Sequence, residues 1–286
     1  MTASAKVWFN GALKDRGSAD PSVASNTLHL GIAVFDGLMA YRNGPSWYLH
    51  RGLEHLHRFV TGAGRMELAP RWSAEALLDG VRELLETLPP RTHYIRPIAY
   101  RTGPEVFFDV VEDTSSVCIF AVPVPRDEEK PYACQISEVQ RVPYRSIPAS
   151  WKVSGAYANS FLAERRARAA GYDDGIMLDA SGRLAEASTS NLFFVEDGAL
   201  ITPRLTPDIF PGITRHVVLE LAASLGIPVK ETDIRPRDLP SFEAAFLCGT
   251  LSELRPVDRI DGLSLRSSTH PVYRAVVGAF RELTHQ

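Results

Sequence analysis

Apolar and polar residues alternate with two different periods along this chain, and the change of period divides it into elements. Lys6-Val-Trp-Phe9 followed by Asn10-Gly11 predicts a strand entering a tight turn. Residues 15–26 are polar, carry Gly and Pro, and read as a loop. From Gly31 to Tyr41 the apolar residues Val34, Phe35, Leu38 and Met39 fit helix and strand equally. Trp47-Tyr48-Leu49 reads as a short strand. A helix with Leu53, Leu56, Phe59 and Val60 on one face follows. A second helix spans Ser73 to Leu88, with Ser73 as N-cap and Pro89-Pro90 as its stop. Strands are expected near 93–101 and 116–124. The second half predicts a helix from Tyr157 to Ala170 closed by Gly171, a strand at Gly175–Asp179, and a turn at 180–183. A hairpin follows, formed by 191–195 and 199–202 around Asp197-Gly198. Then come a helix from Thr214 to Leu225, a buried strand at 244–248 and a last helix from Pro271. There is no internal repeat and no low-complexity tract.

Pro123-Val-Pro-Arg-Asp-Glu-Glu-Lys-Pro131 combines proline with charge, as interdomain linkers do. The expectation is an α/β protein of two domains: a smaller one over 1–122, a linker over 123–131, and a larger one over 132–286. At 286 residues the chain is long enough to bury a sizeable core without disulfides or a metal. A net charge of -3 points to neither nucleic acid nor a membrane as partner. Cys118, Cys134 and Cys248 fit no zinc spacing, and an odd count does not make a disulfide framework. The scarcity of cysteine makes a reducing cytoplasm the expected location; the first thirty residues hold no apolar signal core, and no run approaches a membrane span.

Four short stretches carry candidate chemistry. Pro211-Gly-Ile-Thr214 opens a helix, whose first N–H groups and dipole suit a phosphate; an ordinary cap would look the same. Cys248-Gly-Thr250 ends a buried strand, where Gly249 permits close backbone approach and Thr250 offers a hydroxyl; a plain strand-to-loop turn is the alternative. Lys152 lies between Trp151 and Val153. Burial disfavours a lysine's charge, and a neutral amine can form a Schiff base, although most lysines are simply solvated. Glu186, in Leu184-Ala-Glu-Ala-Ser188, is a carboxylate that can pair with a protonated ring nitrogen or lie exposed on an edge strand.

Taken in order, these stretches resemble the fold-type IV pyridoxal-phosphate (PLP) enzymes, and branched-chain aminotransferases most closely. The lysine motif is Lys152-Val-Ser-Gly-Ala-Tyr157-Ala-Asn, followed by Glu186-Ala-Ser-Thr-Ser-Asn191-Leu-Phe193. Pro211-Gly-Ile-Thr-Arg215 is similar to the family's phosphate turn, and Cys248-Gly-Thr-Leu-Ser-Glu253 with Pro256-Val257 to its last block. His29-Leu-Gly-Ile-Ala-Val-Phe35-Asp-Gly37 and Tyr94-Ile-Arg96-Pro97 resemble the branched-chain members. The resemblance runs nearly the whole chain. It implies a C-terminal domain with a mixed, barrel-like sheet, a homodimer or larger homo-oligomer, and a site at the domain interface. It also assigns residues. Lys152 would bind PLP covalently, Glu186 would pair with the pyridine nitrogen, and Tyr157 would hydrogen-bond the ring oxygen. Arg58 would clamp the phosphate, with the backbone at Gly212, Ile213 and Thr214 and the hydroxyl of Thr250 after Gly249. Phe35, Tyr94 and Arg96 would line the substrate pocket, and the turn at Thr250 and Leu251 would meet the substrate carboxylate. The implied reaction moves the amino group of a branched-chain or related hydrophobic L-amino acid to 2-oxoglutarate by a ping-pong route, with amino acids and keto acids as partners and no metal.

Three positions depart from the branched-chain pattern: Leu30 for a tyrosine, Met39 for a basic residue and Leu251 for a small one. They leave open a D-amino acid or (R)-amine transaminase, a lyase resembling aminodeoxychorismate lyase, and a non-catalytic PLP-fold binder. Tyr94-Ile-Arg-Pro97 argues against the first, and intact Lys152, Glu186 and Tyr157 against the last. The histidines of Glu54-His-Leu-His57 and the run Arg165-Arg-Ala-Arg168 are expected at the surface, and Arg215 at the surface or an interface.

Overall fold

The computed structural model describes residues 3–68, 71–103, 115–125 and 130–284. Of the expected linker, residues 126–129 lie outside the described residues. The chain divides into two compact units, residues 1–126 with 150–156, and residues 127–149 with 157–286. The short stretch with Lys152 therefore groups with the first unit, although it lies beyond the linker in sequence.

In the first unit, β1 (Lys6–Phe9) and β2 (Ala12–Asp15) form the hairpin expected around Asn10-Gly11. Both turn residues have positive φ, 49° and 92°, the conformation that two-residue hairpins favour. A short helix, α1 (Asn26–Leu30), follows the stretch 15–26 that reads as loop and ends at the left-handed Gly31. The undecided stretch 31–41 is two strands, β3 (Ala33–Phe35) and β4 (Leu38–Asn43). Almost all of their residues are buried, so no alternation marks them. β5 (Ser46–Leu49), β6 (His93–Arg101) and β7 (Ser115–Pro123) complete a sheet ordered β2-β1-β7-β6-β4-β5, with β3 also on β6. The helices α2 (Gly52–Arg65) and α3 (Ala74–Glu86) pack on each other and on this sheet. They bury Leu56, Phe59, Leu77, Val81 and Leu84. Ser73 caps α3 by accepting the Ala76 N–H at 3.3 Å.

The second unit contains β8 (Tyr132–Ile136), α4 (Tyr157–Ala169), β9 (Asp174–Leu178), β10 (Leu184–Ala187), β11 (Asn191–Glu196) and β12 (Ala199–Pro203). It continues through α5 (Ile213–Ser224), β13 (Val229–Thr232), β14 (Ala244–Gly249), β15 (Glu253–Ile260), β16 (Leu263–Ser264) and α6 (Pro271–Thr284). The sheet runs β10-β9-β8-β15-β14-β11-β12-β13 and is mixed: β8 is parallel to β9 and β15, β12 is parallel to β13, and the other pairs are antiparallel. Both faces are covered. Leu192, Phe194, Leu247 and Val257 enter one core, while Phe193, Val195 and Phe246 enter the other with Val217 and Val218 of α5 and Tyr273 and Phe280 of α6. That double burial explains the unbroken apolar run in β11. Phe193 and Phe246 stack at 5.2 Å; replacing either by Ala would cost about 3–5 kcal/mol.

Candidate active site

Residues 149–156 form two short 3-10 turns, Ala149–Trp151 and Ser154–Ala156, on either side of Lys152, and the segment from Gly31 to Phe35 fixes them at three points. The Phe35 N–H donates to the Lys152 carbonyl at 3.3 Å, Val34 and Val153 form an antiparallel bridge, and the Gly155 N–H donates to the Gly31 carbonyl at 3.1 Å. From the other side, the Trp151 carbonyl lies against Gly62 of α2, so close that a Cβ there would stand 2.6 Å from the oxygen. Lys152 itself has φ 56°, a left-handed conformation that costs a non-glycine residue about 1–3 kcal/mol unless its surroundings impose it.

This backbone delivers the amine to the residues expected to line a substrate pocket. Lys152 Nζ lies 5.1 Å from the centre of the Phe35 ring, and the Arg96 guanidinium carbon lies 4.4 Å from the same ring. Arg96 Nη2 donates to the Tyr94 hydroxyl at 3.0 Å. Phe35, Tyr94, Arg96 and Lys152 are thus one cluster, two cations around an aromatic face. Met39 is buried in β4 and pairs with Tyr94 across the strands. Leu30, at the end of α1, is exposed.

Arg58 emerges from α2 beside a group that sequence reasoning passed over. Asp36 is fully buried and accepts from Arg58 Nε at 2.7 Å and Nη2 at 2.9 Å, from His55 Nδ1 at 2.9 Å and from the Gly37 N–H at 2.7 Å. Burial works to raise this carboxyl, but the charge and hydrogen bonds of Arg58, with those of His55, hold it well below the usual carboxylate range. His55 is itself buried, not at the surface as expected; burial lowers its imidazole against the opposing pull of Asp36. The Asp36 carboxylate can only accept, which assigns the proton between them to His55 Nδ1. His57, two residues on, is exposed.

The second unit holds Glu186 in β10, buried and tied on both oxygens. Arg141 Nε donates to Oε1; Asn191 Nδ2 at 3.2 Å and the Phe210 N–H at 3.1 Å donate to Oε2. Glu186 is therefore not an exposed charge, although β10 is the end strand of its sheet. Arg141, buried and anchored through its own N–H to the Leu178 carbonyl at 2.9 Å, carried no sequence signal: it stands in an aperiodic stretch 45 residues from its partner. Asn191 also donates to the Phe210 carbonyl at 3.0 Å. Its amide oxygen lies against Gly212, where any side chain would collide with it. Gly212 is the N-cap of α5 and has no side-chain cap, so the first turn at Ile213 and the buried Thr214 offers backbone N–H groups. Arg215 is not at the surface: it is buried, bound to the Pro203 carbonyl at 3.2 Å and paired with Glu231 at 2.5 Å.

Thr250 and Leu251 lie in the turn between β14 and β15, which Gly249 and Glu253 close by pairing. Ser252 Oγ lies 3.0 Å from Ser190 Oγ, tying this turn to the one that precedes β11. Leu251 is 46% exposed. Tyr157 opens α4 and is partly buried.

The family model for class IV amino-transferases matches residues 33–260. A probable branched-chain-amino-acid aminotransferase of Aquifex aeolicus is 35% identical over 261 residues, covering 89% of this chain and 84% of its own. The crystal structure of a branched-chain aminotransferase from Thermoproteus uzoniensis with norvaline superposes with a TM-score of 0.93 at 35% identity, covering 99% of this chain and 95% of its own. That of the Thermobaculum terrenum enzyme in its PLP form gives 0.92 at 28% identity, covering 99% and 95%. The chain accordingly belongs to the class IV aminotransferases, PLP-dependent enzymes of fold type IV.

Proposed function

We propose that this chain transfers the amino group of a branched-chain or related hydrophobic L-amino acid to 2-oxoglutarate by a ping-pong mechanism, with PLP on Lys152. The observation that carries the reading is the cluster of Lys152, Phe35, Tyr94 and Arg96. It puts a backbone-fixed amine beside an aromatic wall and a cation, which suits an anionic amino acid with an apolar side chain.

The residues fit PLP. In the first unit Lys152 would supply the amine and Arg58 a phosphate donor; in the second, the first turn of α5 would supply N–H groups for a phosphate and Glu186 a buried carboxylate for a pyridine nitrogen. When bound, PLP supplies the electron sink that lets an amino acid's α C–H ionise. Lys152 Nζ takes the α-proton as general base and returns it as general acid, across a distance set by its pinned backbone. Arg141, Asn191 and the Phe210 N–H keep the Glu186 carboxylate in one orientation, so that it holds a proton on the ring nitrogen. Phe35 and Tyr94 exclude water from the apolar side chain, and Tyr157 orients the ring oxygen.

Visible spectra of the purified protein with L-leucine, L-glutamate, D-alanine and an (R)-arylamine, each added singly, test this. Loss of the lysine–PLP band with the first two only is expected. Loss with D-alanine or the amine would show that the positions of Leu30 and Met39 select another donor, and pyruvate release without an acceptor would show a lyase. Initial rates against both substrates give parallel reciprocal lines if the route is ping-pong. Light scattering tests the homodimer that the resemblance implies.

A further inference from the structure

We propose that Asp36 is a positioning residue that sets which edge of the Arg58 guanidinium is presented to a phosphate. The inference rests on the reading above, in which Arg58 serves the phosphate of PLP.

Four N–H donors converge on the Asp36 carboxylate. Two belong to Arg58, Nε at 2.7 Å on one oxygen and Nη2 at 2.9 Å on the other, a side-on fork. Two bonds to a planar group remove its rotation about Cδ–Nε. A guanidinium has five N–H groups in fixed directions, so the donors outside this pairing point one way only. His55 keeps the carboxylate from turning: its Nδ1 donates at 2.9 Å to the oxygen that also accepts from Nη2. The Asp36 N–H donates to the Pro97 carbonyl at 3.1 Å, which fixes the residue's backbone to β6. Asp36 follows Phe35, whose N–H holds the Lys152 carbonyl. Two neighbouring residues at the end of β3 thus tie down the lysine and the arginine. The Arg58 side chain retains 14% exposure, against none for Asp36, so the arginine lies at the rim and its partner lies behind it.

The test compares PLP with pyridoxal, which lacks the phosphate, in equilibrium titrations of the full chain followed by absorbance. In Asp36→Asn the amide accepts poorly from two guanidinium N–H groups and sets its own NH2 against one of them. The preference for PLP over pyridoxal is expected to fall about 10- to 100-fold, while pyridoxal affinity stays within about threefold. Arg58→Lys keeps a charge and loses the fork, and should lower the preference similarly. Because Asp36 acts through Arg58, the double variant should fall no further than Arg58→Lys alone. An unchanged preference in Asp36→Asn, or effects that multiply in the double variant, would overturn the proposal. Absence of PLP binding to the parent chain, or an unchanged preference in Arg58→Lys, would instead overturn the reading on which it rests. If Asp36→Asn does not fold, NMR of the parent holoenzyme decides. A slowly exchanging Arg58 Nε–H is expected, and exchange as fast as in an exposed arginine would refute the pairing.

Discussion

Gly62→Ala adds one methyl group to α2, and its consequence is calculable. The new Cβ would stand 2.6 Å from the Trp151 carbonyl oxygen and 3.3 Å from Val34 Cγ1. Reaching an ordinary contact of 3.4 Å requires the helix and the lysine segment to part by about 0.8 Å. The Trp151 carbonyl is bonded to the Lys152 nitrogen, so the shift passes into the backbone that carries the amine. Alanine gains about 1 kcal/mol of helix propensity over glycine, and overpacking costs about 1–3 kcal/mol, leaving a net loss of about 0–2 kcal/mol. Displacing a reacting group by nearly 1 Å costs about 100-fold in rate. Gly64→Ala, two residues on in the same helix, is the control, because nothing lies within 4 Å of its Cβ. Urea unfolding and single-turnover amino-group transfer from L-leucine separate the two effects. Gly64→Ala should be as active as the parent chain and up to about 1 kcal/mol more stable. Gly62→Ala should lose about two orders of magnitude in rate while remaining folded. Equal rates in the two variants would refute the claim that this contact places Lys152.

Three further outcomes are expected. Arg141→Met leaves the buried Glu186 without its cationic partner and should cost about 3–5 kcal/mol by urea denaturation; Glu186→Gln in the same chain should recover much of that. Gly212→Ala displaces the Asn191 oxygen and should weaken PLP binding about 10-fold or more in absorbance titrations. Burial raises the Asp174 carboxyl to about 6, so the folded protein holds a proton there that the unfolded chain releases near 3.8, and stability from this group is lost as pH rises through that window. Burial lowers His50 to about 4, so the unfolded chain binds a proton near 6.5 that the fold excludes, and stability rises with pH across 4 to 6.5. The two slopes oppose each other, and Asp174→Asn should steepen the rise of stability between pH 4 and 6 in chemical-denaturation curves.

What the sequence disclosed depended on how local each signal was. Asn10-Gly11 and Asp197-Gly198 carry their turn in two residues, and both hairpins are present with positive φ at each. The helices around Leu56 and Leu77 bury one face, which leaves a period to read. β3 and β4 bury both faces, so Gly31 to Tyr41 had no period to separate strand from helix. The ordered blocks around Lys152, Glu186, Thr214 and Thr250 carry the family resemblance because each is a run of neighbouring residues. The groups that hold them in place were illegible. Asp36 reaches Arg58 across 22 positions, and Arg141 reaches Glu186 across 45. His55 reads as a helix-surface residue because the carboxylate it is buried against lies 19 positions away. Arg215 opens a helix in sequence, and only the strands beside it reveal why it is buried.

The most direct test of the central claim is chemical capture of the cofactor. The protein, incubated with PLP, is reduced with borohydride, digested and mapped by mass spectrometry. One pyridoxyl group is expected, on Lys152, with no visible band or labelled peptide from Lys152→Ala. A label on another lysine, or a band that survives in Lys152→Ala, would contradict it.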